Sequence, residues 1–203
     1  MLRLLRGACW SAGLLYCAVA AASAERVPVC FNYGCLAQAE VEFNDDQLND
    51  VRRLMEGARS PGEEREALGL AVGRMLGWAG QQSPIAADRG GNFADDAVYG
   101  RMDCIDHSTT TTRLLRMLEN HGWLHFHRVL RPALRARFLV FQHYSALIEE
   151  VEENDKTGSS GAPEGKVAHA RFVVDSWFFD NGQPAVVMPL AAWMAGEGPN
   201  VDN

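Results

Sequence analysis

Apolar residues recur at Leu48, Val51, Leu54 and Met55, the 3.6-residue rhythm of a helix with one buried face. Asn44-Asp45-Asp46 stands where that helix needs its cap, and the rhythm stops in the stretch from Gly57 to Gly62. Glu63 to Gln82 repeats the pattern with Ala67, Leu68, Leu70, Ala71, Met75, Leu76 and Ala79, so the two segments predict a helical hairpin turning around Ser60-Pro61-Gly62. A glycine- and aspartate-rich stretch from Ser83 to Gly100 reads as a loop. A third helix is expected from about Cys104, with Leu114, Leu115 and Leu118 along one side, and Asn120-His121-Gly122 closes it. Its run Thr109 to Thr112 is β-branched and individually poor in helices, which implies that packing close beneath a sheet decides the matter there.

Past Gly122 the period changes from helix to strand. Trp123 to Leu130 alternates weakly, Phe138 to Ile148 is apolar and β-prone, and Ala168 to Phe179 is a further run of the same kind. Glu149 to Lys166 separates the last two with acidic clusters and Gly-Ser-Ser-Gly, the composition of an exposed, flexible hairpin insertion over about 152–167. Asn181-Gly182 marks a turn, Ala185 to Met188 a short strand, and Pro189 to Met194 a closing turn of helix. Helices first and an antiparallel sheet afterwards predict an α+β domain. Residues 25–203 are expected to form that single domain.

Composition changes the picture at the N-terminus. Arg3 and Arg6, an apolar run from Leu14 to Ala22, and Ala22-Ser23-Ala24 have the layout of a cleaved signal peptide over residues 1–24, which predicts a periplasmic or secreted protein. The segment before Cys17 ends in Tyr16, a poor match to a lipid-attachment signal. Without the leader, the whole-chain balance of 19 basic and 26 acidic residues becomes 17 against 26, a net charge of −9. An acidic surface of that kind argues against nucleic acid as a partner, and no later segment is apolar enough to span a bilayer. Of five cysteines, Cys30, Cys35 and Cys104 remain. The first two flank Phe31-Asn32-Tyr33-Gly34, a turn-rich segment, and in an oxidising compartment they are expected to form a small-loop disulfide. Cys104 is then the odd thiol.

Its position suggests chemistry. At a helix N-terminus, backbone N–H groups and the helix dipole stabilise negative charge, favouring a thiolate and an adjacent oxyanion hole. His143, near the start of a strand, can point across at a helix packed on the sheet, and Asp175 is an acid in an otherwise apolar strand, where a paired imidazole is the economical way to bury it. Together Cys104, His143 and Asp175 are expected to make a catalytic triad, with the acid fixing the tautomer of the base. Asp103, Asp106 and His107 are candidates for capping and hydrogen bonding around the thiol, and Trp177 for an aromatic wall beside Asp175 or a core side chain. Gln142, one position away from His143, is not chosen as an oxyanion donor because side chains alternate along a strand. A competing set is Cys104, His107, His125 and His127, whose residue types suit zinc, with Asp106 behind them. A third reading is a noncatalytic peptide-binding or assembly module of the cell envelope.

Cys104 at a helix start, His143 before a hydrophobic strand, and Val174-Asp175-Ser176-Trp177 resemble, in order and element type, the bacterial transglutaminase-like cysteine peptidases of the papain-like superfamily. The run Gly100 to Ser108, Val174 to Phe178 and the Asp180-Asn181-Gly182 turn also resemble a group of exported proteobacterial proteins of unassigned function. The first resemblance implies a papain-like domain in which a central cysteine-bearing helix packs on an antiparallel sheet. It also implies thiol-dependent amide hydrolysis or acyl transfer on a peptide or protein substrate of the cell envelope, without a cofactor. Two features depart from that pattern: Tyr144 follows His143, and 31 residues separate His143 from Asp175.

Overall fold

The computed structural model describes residues 24–91, 95, 97–137, 141–151 and 169–199. Nearly all of the expected leader and the whole of the expected insertion at 152–167 lie outside them. Strands β1 (Glu25–Phe31) and β2 (Ala37–Phe43) open the fold as an antiparallel hairpin. Their tight connection holds the Cys30–Cys35 disulfide.

Helix α1 (Asp45–Glu56) starts at Asn44, whose side chain accepts from the Gln47 N–H while the Gln47 side chain accepts from the Asn44 N–H. This reciprocal capping box satisfies two donors at the helix start. Helix α2 (Pro61–Gly80) starts from Ser60 with proline in its first turn, where a missing N–H costs nothing. The periodic residues are buried as expected, except that Leu54 is half-buried and Leu70 is exposed. The following loop contains a 3-10 turn, Pro84–Ala87, that buries Ile85.

Helix α3 (Cys104–Asn120) lies between the hairpin and the main sheet, and its threonines serve both sides. Thr110 Oγ1 accepts from the Cys30 N–H at 2.9 Å, and Thr111 Oγ1 lies 2.9 Å from Ser176 Oγ. Both are fully buried, so short β-branched side chains that carry a hydroxyl solve two packing problems at once.

Strands β3 (His127–Val129), β4 (Ala133–Arg137), β5 (Phe141–Glu150), β6 (Arg171–Asp175) and β7 (Val186–Pro189) form an antiparallel sheet in the order β3-β5-β6-β7, with β4 also paired to β5. The expected strand from Trp123 contracts to three residues, because the N–H groups of His125 and Phe126 are taken by the Glu64 carboxylate. β4 was not expected. It continues along β5 after a break at Arg131-Pro132, and the pairing slips by one residue there. Proline has no N–H for a ladder, which accounts for the break. The short helix α4 (Leu190–Met194) follows β7.

Alternation along β5 and β6 divides the buried side chains between two faces. Ala146, Ile148 and Val174 join the main core with α1, α2 and α3, whereas Leu147 and Val173 pack with Trp193 of α4. The architecture is α+β, as the order of elements predicted. Among the described residues, no helix is long and apolar enough to cross a membrane.

Two glycines let α2 approach the segment before β7. A Cβ at Gly69 would stand 2.6 Å from Ala185 O, and one at Gly73 would stand 2.6 Å from Gln183 O. At Gly77 the nearest atom, Gly182 Cα, is 3.4 Å away. Gly73→Ala should therefore destabilise the fold by about 1–2 kcal/mol, overpacking outweighing the gain in helix propensity, and Gly77→Ala should be neutral or stabilising by up to about 1 kcal/mol. Denaturant midpoints of the two variants check the contrast, and equal effects would contradict the close-approach account.

Candidate functional site

The site sits where the start of β5, the end of β6 and the N-terminus of α3 meet. Asp103 caps α3: its Oδ1 accepts from the N–H groups of Ile105 at 3.0 Å and Asp106 at 2.9 Å, and Asp106 Oδ2 accepts from the Asp103 N–H at 3.1 Å. This is a second capping box. The Cys104 N–H is left without a partner among the described residues, at the positive end of the helix.

The two capping carboxylates also hold the disulfide loop. Asn32, Tyr33, Gly34 and Cys35 all have φ between 58° and 65°, left-handed backbone that non-glycine residues rarely adopt. That turn aims three successive N–H groups the same way. Tyr33 donates to Asp106 Oδ2 at 2.8 Å, Cys35 to Asp106 Oδ1 at 2.6 Å, and Gly34 to Asp103 Oδ2 at 2.9 Å. Burial and the adjacent Asp103 charge push Asp106 up to about 6, against the N–H groups of Asp103, Cys35 and Tyr33, which favour its charged form.

His143 and Asp175 lie on the α4 face of the sheet. His143 Nε2 is 2.8 Å from Asp175 Oδ2, with both side chains buried. An ionised carboxylate only accepts, so Nε2 carries the proton and Nδ1 is the nitrogen that remains for the thiol. Cys104 lies close enough to His143 to favour its charged form, and the Cys104 Sγ lies 3.9 Å from Gln142 O. Burial alone would lower the proton affinity of His143, but the bond to Asp175, the neighbouring Cys104 and both partners' charges outweigh it, so His143 titrates above its ordinary value.

Asp175 has further donors. The Trp177 N–H reaches its Oδ1 at 3.2 Å, and the Trp193 indole N–H reaches Oδ2 at 3.0 Å. The ring of Trp177 meets His143 edge-on at 4.9 Å, that of Phe178 lies 6.0 Å away and that of Trp193 5.6 Å. Trp177 is thus both wall and core. The half-buried thiol of Cys104 gives this walled pair an approach from outside.

His107 locks the helix to the sheet. Its Nδ1 lies 2.9 Å from Ser176 Oγ, directly after Asp175, and its Nε2 lies 3.0 Å from Asp88 Oδ2. Asp88 Oδ1 accepts from the Met102 N–H, two residues before Cys104. Asp88, Ser176 and Trp193 were not foreseen. Trp193 did leave a signal: a buried indole needs an acceptor, as a buried carboxylate needs donors.

The expected zinc set does not gather. His107 Nδ1 is taken by Ser176 Oγ, and its buried Nε2 faces the Asp88 carboxylate at 3.0 Å without hydrogen-bond alignment. His127 Nδ1 is 2.8 Å from Glu64 Oε1, its Nε2 faces Arg65 at 3.3 Å, and His125 precedes the strand and is exposed. Burial would raise Glu64, but the bonds from His127 and from the backbone of His125 and Phe126 hold it below the usual carboxylate range. Glu64 and His127 therefore tie α2 to the sheet. The described residues that do bring ligand atoms together are Cys30, Cys35 and Asp106, and the two sulfurs are bonded to each other. Gln142 is exposed and meets the thiol through its backbone oxygen.

Removing the disulfide with the pair Cys30→Ser and Cys35→Ser should cost about 2 kcal/mol under oxidising conditions. It should also slow alkylation of Cys104, because the loop that holds its capping residues relaxes. Denaturation and mapped alkylation check both effects, and unaltered alkylation would separate loop from thiol. The raised titration of His143 has its own sign. It stabilises the fold fully below the ordinary imidazole value of 6.5, and that contribution is lost as pH rises through the higher folded-state value. The stability difference between wild type and His143→Gln should accordingly shrink from acid to alkaline pH in paired urea titrations. A growing difference would contradict the assignment.

No family model, curated protein or solved structure matches this chain, so the case for its chemistry rests on the geometry of the site.

Proposed function

We propose that this chain is a thiol-dependent amide hydrolase or acyltransferase of papain-like architecture, acting on a peptide or protein outside the cytoplasm. The observation that carries the reading is the buried bond of His143 Nε2 to Asp175 Oδ2 beside the thiol of Cys104 at the start of α3. Each member has the environment its role requires. The thiol is partly exposed, the imidazole is buried between thiol and acid, and the acid accepts from three donors.

His143 takes the Cys104 proton as Sγ attacks an amide carbonyl carbon. The carbonyl π electrons move to oxygen, and the Cys104 N–H, which the capping box leaves free, is placed to receive that oxyanion. Collapse of the tetrahedral species breaks the C–N bond, with His143 returning the proton to the leaving amine. Water deprotonated by His143 then cleaves the thioester to an acid, or an amine cleaves it to a new amide. Asp175 holds the imidazole in the required tautomer throughout. The Cys30–Cys35 disulfide agrees with an oxidising compartment and with the export suggested by the N-terminal segment.

The test is alkylation of Cys104 by iodoacetamide from pH 5 to 9, with the modified residue mapped by mass spectrometry. Wild type should react readily at pH 6–7, and His143→Ala should be slower there by about a hundredfold, in line with the loss of a general base. A profile that rises only above pH 8 and is indifferent to His143 would favour a noncatalytic module on the same scaffold.

A further inference from the structure

Asp175 Oδ2 receives two N–H donors at comparable distances, His143 Nε2 at 2.8 Å and Trp193 Nε1 at 3.0 Å. Both draw on the same oxygen. The backbone N–H of Trp177 takes the other oxygen, so the carboxylate plane is fixed from three directions.

Trp193 is itself held. It is fully buried in α4, and the Arg135 guanidinium lies over its ring, 4.6 Å from the centroid. Arg135 also donates to the carbonyl oxygens of Trp193 at 2.6 Å and Glu197 at 3.3 Å, pinning α4 to β4. A cation over the π face withdraws electron density from the indole and makes its N–H the stronger donor. Arg135 is paired with His143 across the β4–β5 ladder, so one residue touches both the strand of the base and the donor that competes with it.

We propose that Trp193 is a positioning residue for the triad, fixing the Asp175 carboxylate and dividing the charge of Oδ2 between its own indole N–H and the imidazole of His143. This rests on reading Cys104, His143 and Asp175 as the triad. Full access to the Asp175 charge would hold the imidazolium tightly and slow its release of a proton to the leaving amine. Sharing the oxygen moderates the base without loosening it. The charged and titratable groups around His143 are Asp175 on β6, Cys104 on α3 and Arg135 on β4, and it is Asp175 that the Trp193 indole bears on directly.

The test follows the His143 imidazole by NMR across pH in protein carrying isotope-labelled histidine. Trp193→Phe removes the N–H along with some ring volume. Replacement of Trp193 by benzothienylalanine, a sulfur isostere of tryptophan, removes the N–H and keeps the bicyclic shape. In both, the His143 midpoint should move upward by about half a pH unit or more, as the imidazolium gains the full charge of Oδ2. If Trp193→Phe does not fold, the isostere decides. A midpoint that stays or falls in the folded isostere overturns the proposal and leaves the triad reading standing, provided alkylation of Cys104 still depends on His143. Loss of that dependence in the wild-type background overturns the triad reading instead, whatever the midpoint does.

Discussion

The site is organised by one buried charge. Asp175 ends β6 on the sheet face that α4 covers, and a carboxylate there is tolerable only if donors replace the water it has lost. They come from three places: His143 on β5, the backbone just beyond the strand, and Trp193 on α4. Each of these ties determines something larger. The bond to His143 aligns the base, the bond to the backbone of Trp177 turns the chain out of β6, and the bond to Trp193 seats α4 on the sheet. The apolar contacts of Trp193 with Leu147 and Val173 complete the seating, so a core cluster and a buried acid share one side chain.

The thiol is placed by a different device at the other side of the junction. Asp103 and Asp106 cap α3 around Cys104, and the same two carboxylates collect the N–H groups of a left-handed loop closed by the Cys30–Cys35 disulfide. Neither half is comfortable alone. The loop holds Asn32, Tyr33 and Cys35 in backbone that disfavours side chains, and Asp106 is an acid in a fully buried place beside another acid. Joined, each satisfies the other, and the first turn of the helix is fixed to the hairpin.

Much of this was legible because it follows from short-range rules. The caps at Asn44 and Asp103, the helical stripes, and the change of period after Gly122 are local signals, and the structure follows them. So is the oddness of an acid at Asp175 within Phe172 to Phe179, which pointed to a polar partner. What escaped depends on pairing across the fold. The alternation of Trp123 to Leu130 could not reveal that Glu64, about sixty residues earlier, takes two of its N–H groups. Asp88 and Ser176 look like ordinary loop residues until His107 is seen between them. His125 and His127 have residue types that suit zinc, but the strand begins only at His127, so strand alternation does not align the two rings.

Three buried histidines in this fold pair with carboxylates: His107 with Asp88, His127 with Glu64, and His143 with Asp175. Burial and the acid partner therefore do not separate a structural pair from a catalytic one. The second ring nitrogen does. In His107 it faces the hydroxyl of Ser176, itself tied to Thr111, and in His127 it faces the guanidinium of Arg65, which is held by Glu150. A proton delivered to either ring has nowhere to go except back into the scaffold. His143 instead neighbours the partly exposed thiol of Cys104 at a helix N-terminus, and under the proposed function a proton taken from that thiol leaves a nucleophile behind. The same chemical pair is used twice to fasten helices to the sheet and once beside an accessible thiol, which is where the proposed function puts its proton to use.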